Sequence, residues 1–285
     1  MRAVILQLKP HQESFYKVVH DKIRGLDAIV LCEGASDTEA AKKILQKMKE
    51  TQPKTAVQQV VAFTDAGGKE NIPLLADALL ALLKLSRKLR TIAVIMDAEK
   101  STAERRAKSF IDSLLSRKGD LHLQLAELQK DSACSQVFTC NIRVNGRNLK
   151  LVLAINGDFT LPFTKHTLED HCLKLAGTPL PRAPQTTAQS AKQLLDIATC
   201  LDEIDKADLE TACKAFAHIC RALELLYAET THPRPAKLDR RSLGTTQKPA
   251  YWRAHKYVLI FKHERKSKLM DKISRACPFS TSSRK

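Results

Sequence analysis

Residues 28–48 read AIVLCEGASDTEAAKKILQKM, and the change of pattern inside this stretch decides the fold. Its first part is a short, continuous apolar run closed by Gly34, which is the signature of a strand buried on both faces of a parallel sheet. Its second part repeats apolar residues at helical spacing: Ala40, Ala41, Ile44, Leu45 and Met48. Ser36 and Glu39 stand three apart before that face, the spacing of a capping box. The stretch therefore predicts a strand, a tight turn and a helix.

The same unit recurs twice. VVAF (60–63) predicts a strand, TDAGGKEN (64–71) a turn, and IPLLADALLALLKL (72–85) an apolar helix with Pro73 in its first turn. TIAVIMD (91–97) is the clearest buried strand, and a helix follows it, with Ser101 and Glu104 again at capping-box spacing. Three such units predict an α/β fold: a Rossmann-like core with a mainly parallel sheet flanked by helices. QVFTCNIRV and NLKLVLAI around Asn145-Gly146 predict an edge hairpin.

Residues 167–176 predict a further short helix, and the Pro-rich segment 177–187 a linker. Periodicity through 188–229 predicts two helices. The expected organisation is an α/β core over 1–180, a helical extension with a basic C-terminal segment over 181–277, and a disordered tail over 278–285.

The 285 residues carry 47 Lys and Arg against 31 Asp and Glu, a formal charge of +16. Fifteen of those cations and three acids fall in residues 232–285, which hold +12 and leave +4 on the rest. That skew points to a polyanion, with nucleic acid foremost, beside the alternative of a solvated tail. Arg240, Arg241, Arg253, Lys262, Arg265, Lys266 and Lys268 are the candidate contacts. Eight cysteines contain no Cys-x-x-Cys pair, so neither a zinc site nor a disulfide framework is expected. No apolar run approaches the ~18 residues of a membrane span; a cytoplasmic, non-membrane protein is expected. The helices of 188–229 are expected to cap the sheet or to join copies in a homo-oligomer.

In an open parallel sheet, ligands bind at the carboxyl ends of the strands. Glu33 closes the first strand and Asp97 the third, with Asp37 and Glu99 in the turns that follow. Four carboxylates at one edge repel one another unless a cation compensates them. All-oxygen ligands favour Mg2+ or Mn2+. Asp37 and Glu39 also fit a plainer role as first-turn acids facing the helix dipole. His166 and His171 lack zinc-spaced partners and are left out of the site, and GGKEN lacks the full phosphate-loop spacing.

VLCEGASD, GGKEN, IMDAE and TKHTLEDHCLKLA resemble the Toprim catalytic fold of topoisomerases, primases and overcoming-lysogenization-defect nucleases. The likeness is strongest to small stand-alone Toprim-like proteins of unknown function in archaea and bacteria, and it spans about residues 26–176. It implies that Glu33 matches the family's Glu, as metal ligand or general acid/base. Asp97 and Glu99 match its Asp-x-Asp with one methylene added, and Asp37 matches an acid of the nuclease branch. It further implies Glu169 or Asp170 as an additional acid, Gly67, Gly68 and Lys69 as a loop where backbone approaches ligand, and Lys256 as a catalytic cation. The implied activity is metal-dependent phosphodiester hydrolysis on nucleic acid. The alternative is a module that binds nucleic acid or a nucleotide without turnover.

Overall fold

A computed structural model describes residues 2–8, 25–51, 58–82, 88–116, 123–144, 146–179 and 189–228. In chain order its elements are β1 (Arg2–Leu8), β2 (Ala28–Cys32), α1 (Ala35–Glu50), β3 (Gln58–Asp65), α2 (Ile72–Leu82), β4 (Thr91–Asp97) and α3 (Ala103–Ser116). There follow β5 (Leu123–Leu125), β6 (Gln129–Lys130), β7 (Val137–Val144), β8 (Arg147–Asn156) and α4 (Leu168–Leu175). After a 3-10 turn at Ala191–Gln193 come α5 (Ile197–Lys206), α6 (Leu209–Ala215) and α7 (Ala217–Ala228).

The sheet order is β1-β3-β2-β4-β8-β7-β5, with β6 also paired to β7. The first five strands of that order run parallel and the hairpin edge runs antiparallel. The continuous apolar runs have the reason expected of them, since all five residues of β2 and all seven of β4 are buried. Alternation divides their side chains between two cores. Ile29, Leu31, Ile92, Val94 and Met96 pack with α2 and α3 on one face, where Phe110 and Leu114 are buried. Val30, Cys32, Ala93 and Ile95 pack on the other face with Ile44 and Leu45 of α1 and Phe216, Ile219 and Leu223 near α7. Each fully buried Leu, Ile or Phe contributes about 1.5–3 kcal/mol, so both helical layers are held by the sheet rather than by local propensity.

The hairpin forms as its Asn-Gly predicts, with Gly146 at φ 79° and Val144 opposite Arg147. Both capping boxes are displaced. The α1 N-cap is Gly34, whose N–H donates to Asp37 Oδ2 at 3.0 Å, while Glu39 pairs outward with Lys42. At α3 the Arg105 N–H donates to Thr102 Oγ1, and Glu104 pairs with Lys108. In both cases an acid that spacing assigned to the cap forms an exposed ion pair one turn on. Residues 197–228 form three helices rather than two, because α6 ends at Phe216 with φ −110° and ψ 45° before α7 begins. They share the core of α1 and β8.

The cysteines also depart from expectation: Cys172 bonds to Cys200, and Cys213 to Cys220. The first pair joins α4 to α5 across 28 residues and the second spans the α6–α7 break, juxtapositions that linear spacing does not encode. No helix among the described residues is long and apolar enough to cross a membrane.

Candidate metal centre

Strand β2 lies between β3 and β4, so the chain leaves it toward one side and returns on the other. A crevice opens at the carboxyl ends of such a pair. Register fixes what stands there. The Glu33 N–H donates to Ile95 O at 2.9 Å, and Asp97 is paired with Asn156 at the end of β8. Glu33, Asp97 and Glu99 each offer a carboxylate oxygen, and these atoms all lie within 4.8 Å of one another.

Each of the three is held by a different device. Glu33 Oε2 accepts the Asp97 N–H at 3.1 Å and lies 3.4 Å from the Arg106 guanidinium; burial raises its pKa, against the pull of Arg106. Asp97 Oδ1 accepts from the Leu168 N–H at 3.1 Å and from Asn156 Nδ2 at 3.0 Å. Burial pushes its pKa up from 3.8 to about 7, although Lys192 opposes the shift. Glu99 sits at φ 58°, a left-handed conformation costing a non-glycine residue about 1–2 kcal/mol. Reciprocal backbone hydrogen bonds to His166, at 2.9 and 2.8 Å, keep it there.

Asp37 stands behind the triad. Asn156 Nδ2 donates to Asp37 Oδ1 at 2.7 Å as well as to Asp97, bridging the two carboxylates. Burial, and then the charge of Asp97, raises the Asp37 pKa well above its ordinary value. Its other oxygen caps α1 through Gly34, so it serves the helix start and the acid cluster together.

The orientation of Asn156 is set from the helical layer. His218 Nε2 lies 2.8 Å from Asn156 Oδ1 and must donate to it, since that oxygen is an acceptor. His171 stacks on His218 with centroids 4.3 Å apart, accepts the Gly157 N–H at Nε2 and donates from Nδ1 to Ala215 O. Burial lowers the His171 pKa to about 4 and carries that of His218 well below its ordinary value, helped by His171. Both rings are therefore neutral; His171 both donates and accepts, while His218 donates from Nε2 and its buried Nδ1 has no hydrogen-bond partner. Gly157, at φ 133°, admits no side chain, because a Cβ would lie 2.5 Å from His166 Cβ.

Lys192, from the 3-10 turn, lies 3.4 Å from Asp97 Oδ2 and 3.8 Å from Glu169 Oε2. Burial disfavours its charge, but the two carboxylates outweigh that and raise its pKa. Glu169 is thus beside the cluster, and its buried Oε2 has no hydrogen-bond partner. Asp170 turns away, accepting the Asp158 N–H at 3.0 Å and meeting His166 Nδ1 at 2.9 Å. Gly67 and Gly68 have positive φ, and the Gly68 N–H donates to Glu33 O. Lys69 lines a cleft that also reaches Glu99 and Arg106. Lys256 and the seven basic candidates from Arg240 to Lys268 lie outside the described residues.

Arg106, Asn156, Lys192 and His218 escaped the sequence reading. Asn156 carried a signal, since it ends an apolar strand as Glu33 and Asp97 do. Lys192 and His218 are placed by tertiary packing alone.

Three buried or half-buried carboxylates without sulfur or imidazole among them suit a hard divalent cation in an oxygen cage. Its charge would offset the desolvation and mutual repulsion that raise the pKa values of Glu33 and Asp97. No curated protein and no solved structure matches the chain. A family model described as protein of unknown function DUF3226 matches residues 27–229, from just before β2 to just past α7, and the chain belongs to that family.

Proposed function

We propose that the protein is a divalent-metal-dependent phosphodiesterase of the nuclease type, acting on nucleic acid with Mg2+ or Mn2+ at a Toprim-like site. The observation that carries this reading is the convergence of Glu33, Asp97 and Glu99 within 4.8 Å at the ends of adjacent parallel strands. The resemblance of VLCEGASD and IMDAE to the Toprim motifs supports it. When bound, the metal would supply Lewis acidity toward a phosphoryl oxygen and a water.

The chain's own groups divide the remaining work. Glu33, Asp97 and Glu99 would hold the cation. Asn156 keeps Asp97 aimed at it by a hydrogen bond that His218 orients. Arg106 and Lys192 stand at 3.4 Å from carboxylates of the cluster, where their charge also faces an incoming phosphate. A second reading, binding without turnover, draws on the same two cations, which neutralise part of the acidic charge before any metal enters.

The test incubates single- and double-stranded DNA and RNA with the full chain and Mg2+ or Mn2+. Cleavage by the wild type that falls to background in both Glu33→Ala and Asp97→Ala is the expected result. Cleavage that persists in both variants rejects this site, and binding without cleavage under either metal favours the second reading.

A further inference from the structure

We propose that the cleft beside the acid triad binds single-stranded nucleic acid, with its cations on the phosphates and Phe159 stacked on an unpaired base. This rests on the phosphodiesterase reading and specifies the strand state it would act on. The cleft holds about 640 Å³ and shares Glu99 with the triad. Lys69, Lys100, Arg106 and Lys165 line it, together with Ser101 and Ser109. Among the described residues Lys69, Lys100 and Lys165 form no ion pair, whereas Lys42, Lys43, Lys108 and Lys206 are each matched to a carboxylate. Four basic residues against the two acids Glu70 and Glu99 leave this lining net positive, and so complementary to phosphates.

Phe159 supplies the feature that separates strand states. It is 42% exposed, one of two large hydrophobics in that class among the described residues. Its ring lies 4.8 Å from that of His166, the residue after Lys165 and the backbone partner of Glu99. The turn that presents it is fixed: Asp158 accepts from the Thr160 N–H at 3.0 Å and hydroxyl at 2.6 Å, while its own N–H donates to Asp170. A rigid, exposed aromatic beside phosphate-binding cations can stack on a base that has left its own stack. In a duplex the bases are already stacked and paired, so such a ring finds no free face.

The test measures fluorescence anisotropy of a labelled strand of about 12 nucleotides, within the span of known strand-binding grooves, as DNA, as RNA and as the matching duplex. It uses the full chain in EDTA, so that binding is read apart from cleavage. The single strands should bind more tightly than the duplex. Phe159→Ala should weaken single-strand binding about tenfold, the scale of one base stack, and leave duplex binding unchanged. Phe159→Trp should retain the affinity and show indole quenching by the strand beyond that of the wild type, whose Trp252 sets the baseline. Lys69→Glu with Lys165→Glu should weaken both and flatten the salt dependence. Equal binding of duplex and single strand, no loss in Phe159→Ala, or no added quenching in Phe159→Trp would overturn the proposal. Strand binding with these signatures but no cleavage under Mg2+ or Mn2+ upholds the strand site and removes the phosphodiesterase reading.

Discussion

Glu99 stands at φ 58° because its backbone is bridged to His166 on both sides. Strained conformations of this kind persist where surrounding structure over-determines them, and they gather at functional sites. Two consequences separate the side chain from the backbone. Glu99→Gly removes the strain of about 1–2 kcal/mol together with one of the three proposed ligands, so the metal-free fold should be unchanged or slightly more stable in urea. If the triad holds the cation as proposed, the same variant should bind Mn2+ at least tenfold more weakly, since one of three carboxylates is gone. A clear loss of metal-free stability would show that the Glu99 side chain has a structural task instead. IMDAE made this residue visible as a candidate; its conformation was not legible, because it depends on a partner 67 positions away in the chain, at His166.

Among the elements, α4 and α7 meet the end of β8 through two stacked neutral imidazoles, His171 and His218. The folded pKa of His171 is about 4 against an ordinary 6.5, so on acidification the unfolded chain takes up the proton first. Its contribution to stability is in full above about pH 6.5 and is lost as pH falls toward 4. At about 1.4 kcal/mol per tenfold, that is about 3 kcal/mol. Asp97 and Asp37 have raised pKa values and act in the opposite sense, gaining stability as pH falls, so the histidine is isolated by comparison. His171→Gln offers one acceptor and one donor without titrating. Urea denaturation at pH 7 and pH 4 should show the wild type losing about 3 kcal/mol more than this variant. Parallel losses would mean that the ring is not held neutral. Sequence periodicity predicted α4 and a helical run over 188–229, but the pairing of these helices over Asn156 is a long-range packing result.

For the whole molecule, the legible part of the fold was its parallel centre. Apolar runs at 28–32, 60–63 and 91–97 are strands because both faces of the sheet are covered, and the hairpin follows from Asn145-Gly146. Strand β1 was missed although its apolar residues are in view, since a short run at a chain start carries no turn or helix to identify it. β5 and β6, at three and two residues, are too short for any period. The site divides in the same way. Glu33, Asp97 and Glu99 were legible from their places after strands, whereas Lys192 and Arg106 reach the cluster from elements with no acidic motif of their own.

Glu33, Asp97 and Glu99 are proposed to hold one divalent cation at the carboxyl ends of β2 and β4. Calorimetric titration of Mn2+ into the full chain, repeated on Glu33→Gln, Asp97→Asn and Glu99→Gln at pH 7.5 and pH 5.5, tests it directly. Because the Asp97 pKa is about 7, a proton competes for the site in the acidic sample and is displaced in the basic one. One binding event at pH 7.5, weaker at pH 5.5 and weakened at least tenfold in every variant, is the predicted result. Undetectable binding by the wild type, or affinity that survives all three substitutions unchanged, would contradict it.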